Sequence, residues 1–403
     1  MRVKIIPKRL SGSVQAPPSK SMGHRLLLCA GLAQGQSRVR GISHSEDMLA
    51  TLDVLCALGA KCQREGDTVS ISGCDPRLAR SAELCCRESG STLRFAIPLC
   101  LLGNEEMTLT GSQRLFARPL SVYEDICREQ GLFFQRGECS VTVKGPLRAG
   151  EFLVPGDVSS QFITGLLYAL PLCKGDSVIR LIPPVESRSY LDLTVAALAQ
   201  FGVDVRWQDE LTLFVRGGQD FGSTDAVVEG DYSNAAFFEA LHCLGHEVSV
   251  SGLDPHSLQG DRVYQTLLPL LETDTPCISL ADCPDLGPLL MAVAAAKNGA
   301  HFTDTHRLKI KESDRGEAMA QELAKLSVRV QVSENDIVVK GGTVTPPSEV
   351  LYGHNDHRIV MSLATLLTLT GGEIDGAQAV NKSLPDYFER LKGLSAEVEC
   401  YDA

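Results

Sequence analysis

Two α/β domains, each assembled from three β-α-β-α-β-β units, are what this sequence predicts. Three observations carry that expectation. One pattern recurs six times: small polar or charged residues, then an apolar run of helical length, then glycine. Between the copies lie more amphipathic helical patterns, several followed by two short alternating runs with a turn between them. The length, 403 residues, suits two or three domains at about 150 residues each.

The units follow in order. The first has SKSMGHRLLLCAGLAQG from Ser19, SEDMLATLDVLCALG from Ser45 and the strand pair KCQREGDTVSISG. The second has SGSTLRFAIPLCLLG from Ser89, RPLSVYEDICREQG from Arg118 and FFQRGECSVTVKG. The third has SSQFITGLLYALPLCKG from Ser159 and RSYLDLTVAALAQFG from Arg188. In the fourth, DYSNAAFFEALHCLG from Asp231 precedes HSLQGDRVYQTLLPLLE. The fifth joins DLGPLLMAVAAAKNG from Asp285 to ESDRGEAMAQELAKL and RVQVSENDIVVKG. The sixth joins NDHRIVMSLATLLTLTGG from Asn355 to LPDYFERLKGL. Successive starts lie 70, 70, 72, 54 and 70 residues apart. One helix per unit is apolar almost all round and is expected to be buried; the other has a single apolar face and is expected outside.

Composition narrows the function. With 44% hydrophobic and 22% charged residues the chain is ordinary for a soluble globular protein. Lys and Arg number 38 against 50 Asp and Glu, a formal charge of −12. That disfavours nucleic acid as a partner, since such binding rests on a basic surface. No apolar run approaches the ~20 residues that span a bilayer, and the N-terminus lacks a secretion signal, so no membrane partner and a cytoplasmic location are expected. The 14 cysteines include no CxxC, and most sit in apolar runs, so they read as reduced packing residues.

Parallel buried helices would bring their N-termini to one face, where free N–H groups and the helix dipole favour an anion. N-capping accounts for Ser89 and Asp231 at such starts. It does not account for Lys20, Arg94 and Arg358, cations at the positive end of a dipole. Four stretches stand out. PPSKSMGHR puts Lys20, Ser21 and Arg25 together, a set suited to phosphate or carboxylate. In SSQF, Ser159, Ser160 and Gln161 offer uncharged hydrogen-bonding groups. KIKESDR sets Glu312, an acid/base candidate, between Lys311 and Arg315. NDHR places Asp356, His357 and Arg358 at the head of an apolar helix. Asp285 reads as a carboxylate at a helix cap, or as more than that.

Phosphate-loop, dinucleotide, zinc-protease and serine-hydrolase motifs are all absent from the sequence. What remains is a cation-rich site between domains with a few carboxylates and no cofactor or metal. It fits acid–base group transfer between two anionic small molecules.

Taken together and in order, PPSKSMGHR, ESGSTLRF, Arg118-Pro119, SSQF, SRSY, VEGDYSNA, DCPD, KESDR, NDHR and KSLPDYF resemble the 5-enolpyruvylshikimate-3-phosphate (EPSP) synthase family across essentially the whole chain. The resemblance implies two inside-out α/β domains, one spanning 18–228 and the other combining 1–17 with 229–403, with the site in the cleft between them. It implies enolpyruvyl transfer from phosphoenolpyruvate to shikimate 3-phosphate by addition and elimination. Asp285 is implied as the base near the attacking hydroxyl, Glu312 as the group that protonates and later deprotonates carbon, and Lys20 as a contact to both substrates and an aid to proton transfer. Gly90, Arg118, Arg315, Arg358 and Lys382 are implied around phosphoenolpyruvate. Ser21, Arg25, Ser159, Ser160, Ser187 and Lys311 are implied around shikimate 3-phosphate, with Gln161 shared and Tyr190 against the shikimate ring. Glyphosate enters as a candidate inhibitor, and a monomer is expected, open when free and closed around two ligands.

The sequence departs from the commoner family pattern at Glu88, Ser89, Ser91 and Arg307. The related UDP-N-acetylglucosamine enolpyruvyl transferases carry a Cys in a Gly-rich loop where this chain has GSQRLFARP, and typically Asn where it has Ser21. A non-catalytic anion binder would gain by losing Asp285 and Glu312, and both are present.

Overall fold

The computed structural model describes residues 1–401. The chain divides into two compact units: Lys20–Glu229, and Met1–Ser19 together with the chain from Gly230 onward. Each unit has its own apolar core.

In the unit Lys20–Glu229 three four-stranded sheets repeat one plan. Glu151–Pro155 lies parallel to Ser177–Ile182, which pairs antiparallel with Thr212–Val215, itself antiparallel to Val205–Trp207. Ala82–Cys85, Met107–Thr110, Ser140–Lys144 and Phe133–Arg136 do the same. In the remaining sheet the first strand is Asp225–Val227, from the far end of the segment, beside Gln36–Arg40. In the first two of these sheets the parallel pair is joined through a helix, as its geometry requires, and in the third the corresponding helix, Lys20–Leu32, precedes Gln36–Arg40.

Those helices are the apolar runs read from the sequence. In Lys20–Leu32 every residue from Met22 onward is buried, and in Gly90–Cys100 only Ser91 is not. A helix with no polar face has nowhere to go but a core. Ser160–Ala169 crosses close to Gly90–Cys100 at Gly165, where a Cβ would collide with the Arg94 carbonyl and the Tyr123 hydroxyl. That hydroxyl lies 2.7 and 3.0 Å from the carbonyls of Arg94 and Phe162, which share its one proton. Outer helices such as Ser121–Gln130 bury one stripe only: Val122, Tyr123, Ile126 and Cys127.

The second unit repeats the plan twice and then departs from it. Cys277–Ser279, Gly299–Thr303, Asp336–Lys340 and Val330–Val332 form one sheet. In the other, Leu351–Tyr352 and Gly372–Asp375 are followed by the N-terminal strand Arg2–Ile6 and then Glu397–Tyr401. The fourth repeat, expected as a full unit, has a two-stranded sheet, Ser11–Gln15 parallel to Glu247–Ser251. No strand pair lies between its outer helix, Tyr264–Thr273, and the next unit's first strand, which is why the following start comes after 54 residues and not about 70. All fourteen cysteines are free thiols; seven are buried as expected, but Cys56, Cys85, Cys139, Cys277 and Cys400 are exposed.

Candidate functional site

In the unit Lys20–Glu229 the expected residues cluster at the starts of its helices. Ser89 and Ser159 cap theirs, their hydroxyls accepting from the backbone N–H groups of Thr92 and Gln161. Each such cap contributes about 1 kcal/mol. Lys20 Nζ bonds Asp47 at 2.9 Å. Arg25 is buried with every guanidinium nitrogen engaged: Nε donates to Thr194 Oγ1 at 3.0 Å, Nη1 to the Ser21 carbonyl at 2.7 Å, and Nη2 to the Tyr190 carbonyl at 2.8 Å. It also faces the Phe95 and Tyr190 rings. The structure thus ties Ser21, Arg25 and Tyr190 together. Ser187, just before, takes a left-handed backbone with φ 56° and ψ 40°, a conformation that costs a non-glycine residue about 1–3 kcal/mol and clusters at functional sites.

Gln161 is aimed from two sides: Arg94 Nη1 donates to its Oε1 at 2.7 Å, and its Nε2 donates to Ser91 Oγ at 2.9 Å. Arg94 also holds the Pro119 carbonyl at 3.0 Å, anchoring the turn that carries Arg118. Gly90 packs against the Arg118 guanidinium, which a Cβ at that position would displace. Below this layer His24 Nδ1, Thr51 Oγ1, Thr92 Oγ1 and Ser89 Oγ form a chain of bonds at 2.8 Å each. Burial, with Lys20 and Arg25 adding to it, holds the His24 imidazole well below its usual range, so the ring is neutral.

The second unit gathers the carboxylates around one guanidinium. Arg315 is 1% exposed. Its Nη1 reaches Asp285 Oδ1 at 2.7 Å, its Nη2 reaches Glu312 Oε2 at 2.7 Å, and its Nε reaches Asp356 Oδ2 at 2.9 Å. Arg315, expected beside the smaller anion, therefore spends its nitrogens on three carboxylates. Lys311 Nζ adds a second cation to Asp285 at 3.0 Å. Burial raises the Asp285 carboxyl, but Lys311, Arg315 and Arg358 outweigh it and hold the group well below the usual carboxylate range. Asp285 is not the helix cap that its position suggested: it lies in a 3-10 turn, Pro284–Leu286, ahead of the inner helix Gly287–Ala296. In KIKESDR the helix starts only at Arg315, capped by Asp314, so Lys311 and Glu312 stand on a loop.

Asp356 caps His357–Thr370 through the Arg358 N–H at 2.9 Å. Arg358 bonds the Ser233 carbonyl and hydroxyl at 3.0 and 2.6 Å. Lys382 Nζ reaches the Asn355 carbonyl at 2.6 Å. Sequence reasoning missed Asp47, Ser233 and Asp261, partners that lie 27 or more residues from the groups they serve. Burial raises the Asp261 carboxyl to about 6, and the Asp285 charge adds to this against Arg358. No group of three or more His, Cys, Asp or Glu among the described residues is arranged to hold a metal ion.

Burial pushes the Lys311 ammonium down to about 8; Asp285 opposes this, and Arg307 and Arg315 add to it. The folded value lies below the ordinary one near 10.5, so the unfolded chain holds more protons between about 8 and 10.5. The contribution of this group to stability therefore rises with pH across that window. Anion binding should do the opposite. An anionic ligand held by Lys311 should bind more weakly as pH rises from 7 to 9, and Lys311→Met should flatten that slope; calorimetric titration across the range checks both.

Carboxylates ordered by buried cations in one unit, with cations and hydroxyls at helix starts in the other, are the equipment of an acid–base group transferase acting on anions. A sequence model of the family described as EPSP synthase (3-phosphoshikimate 1-carboxyvinyltransferase) matches residues 5–275 and 271–391. A 3-phosphoshikimate 1-carboxyvinyltransferase of Clostridium kluyveri is 38% identical over 424 aligned positions, 98% of each chain. One from Clostridium perfringens is 37% identical over 418, again 98% of each. An EPSP synthase structure from Acinetobacter baumannii shares the fold with a TM-score of 0.78 at 23% identity, covering 99% of this chain and 100% of that one. This chain belongs to the EPSP synthase family.

Proposed function

We propose that this chain transfers the enolpyruvyl group of phosphoenolpyruvate to the 5-hydroxyl of shikimate 3-phosphate and releases phosphate. The observation that carries the assignment of roles is the placement of Asp285 and Glu312 on one buried guanidinium, Arg315. A carboxylate on each outer nitrogen of a rigid fork gives two proton-handling groups at fixed spacing.

Glu312 delivers a proton to the methylene carbon of phosphoenolpyruvate, which leaves the adjacent carbon electrophilic. The 5-hydroxyl attacks that carbon while Asp285, held ionised by Lys311 and Arg315, takes the hydroxyl proton. A tetrahedral ketal phosphate results. Glu312 then removes a proton from the new methyl group, the bond to phosphate oxygen breaks, and the leaving phosphate carries off the proton from Asp285. Lys20 contacts both substrates. Gly90, Arg118, Arg358 and Lys382 hold phosphoenolpyruvate, and glyphosate, an anionic phosphonate, competes there. Ser21, Ser159, Ser160, Ser187 and Lys311 hold shikimate 3-phosphate, with Gln161 between the two and Tyr190 against the ring. Arg25 and Arg315 serve chiefly by positioning, since their nitrogens are bonded within the protein. The protein works as a monomer in the cytoplasm; no described helix is long and apolar enough to cross a membrane.

With phosphoenolpyruvate as donor, the purified protein should release phosphate with shikimate 3-phosphate and not with UDP-N-acetylglucosamine. A phosphate-release assay with each acceptor decides it; activity confined to the nucleotide sugar would sink the reading.

A further inference from the structure

The sheet around Gly299–Thr303 buries one face and turns the other outward. Alternation places Ile278, Phe302 and Ile337 inside and Cys277, His301 and Asp336 outside. Cys277 and His301 are direct partners in the parallel pair. His301 sits opposite Val338 in the next pair, so Asp336, two residues away, shares its face. Cys277 Sγ lies 3.8 Å from His301 Nδ1, and His301 Nε2 lies 2.8 Å from Asp336 Oδ1.

This order has a chemical consequence. A carboxylate oxygen only accepts, so Nε2 carries the ring proton and Nδ1 turns its lone pair toward the thiol. A nucleophile, a base in reach of it and a third group orienting that base are the parts of an activated thiol. Cys277 is exposed, so a small reagent can reach its sulfur. None of the three residues is used in the enolpyruvyl transfer proposed above.

We propose that Cys277 is an activated thiol and a modification site for low-molecular-weight disulfides. As its sulfur attacks one sulfur of the reagent, its proton passes to His301 Nδ1 and Asp336 stabilises the imidazolium. The new S–S bond forms as the old one breaks, and the departing thiolate takes the proton from His301. Cys277 ends oxidised as a mixed disulfide, and half of the reagent ends reduced as a thiol.

The test uses the full chain with glutathione disulfide at neutral pH, following the adduct at each cysteine by peptide mass. The adduct at Cys277 should form at least about tenfold faster than at Cys56, Cys85, Cys139 or Cys400, a modest share of what a positioned base gives. His301→Ala should bring Cys277 down to the rate of the others, and Asp336→Asn should slow it while leaving the imidazole in place. A Cys277 rate no higher than that of the other exposed cysteines, or one unchanged in His301→Ala, would overturn the proposal.

Discussion

Glu312→Gln and Asp285→Asn should each lower turnover by about 10²–10⁴-fold, the usual worth of a positioned acid or base. Both changes keep side-chain shape and a hydrogen-bonding partner for Arg315, whose nitrogens reach the two carboxylates at 2.7 Å. Affinity for shikimate 3-phosphate should therefore stay within about tenfold, as expected when what is removed acts mainly in the transition state. Single-turnover phosphate release and calorimetric binding separate the two quantities. Near-normal turnover in both variants would mean that the acid and base have been misassigned.

Arg315→Met should be the most destabilising single change in the second unit. Its guanidinium is the common partner of Asp285, Glu312 and Asp356, and Asp356 is fully buried. Lys311 still holds Asp285, but the buried Asp356 loses its guanidinium, and removing one partner of a buried ion pair typically costs about 3–5 kcal/mol. Arg315→Lys retains the charge without the planar fork and should fall between wild type and Met. Urea unfolding followed by circular dichroism measures the loss. A wild-type midpoint in Arg315→Met, with turnover gone, would return Arg315 to the role of substrate ligand alone.

Much of the scaffold was legible because helix burial is written in composition. Segments such as GPLLMAVAAA have no polar stripe, so an inner position follows without knowledge of their neighbours. The interval of 54 residues between Asp231 and Asp285 is visible in the sequence, yet a full unit was expected there, and only the two-stranded sheet of Ser11–Gln15 with Glu247–Ser251 shows that the missing length is a strand pair. The strands that complete sheets from a distance, Arg2–Ile6 and Asp225–Val227, left no local signal, since strand pairing is set by partners far along the chain.

The same division runs through the site. By itself the sequence singled out the residues we propose for the chemistry: Lys20, Asp285, Lys311, Glu312, Arg315 and Arg358, cations and carboxylates at helix starts or in loops. Only the tertiary structure decided which of those charges are bonded to which groups within the protein. It bonds Arg25 to Tyr190 and Thr194, spends Arg315 on three carboxylates, and sets Cys277, His301 and Asp336 in line across three strands. The reason is one of range. Composition and periodicity report an interaction with solvent or core, which each residue has alone, whereas a hydrogen bond depends on angles and ångströms between groups that the chain brings together only when it folds.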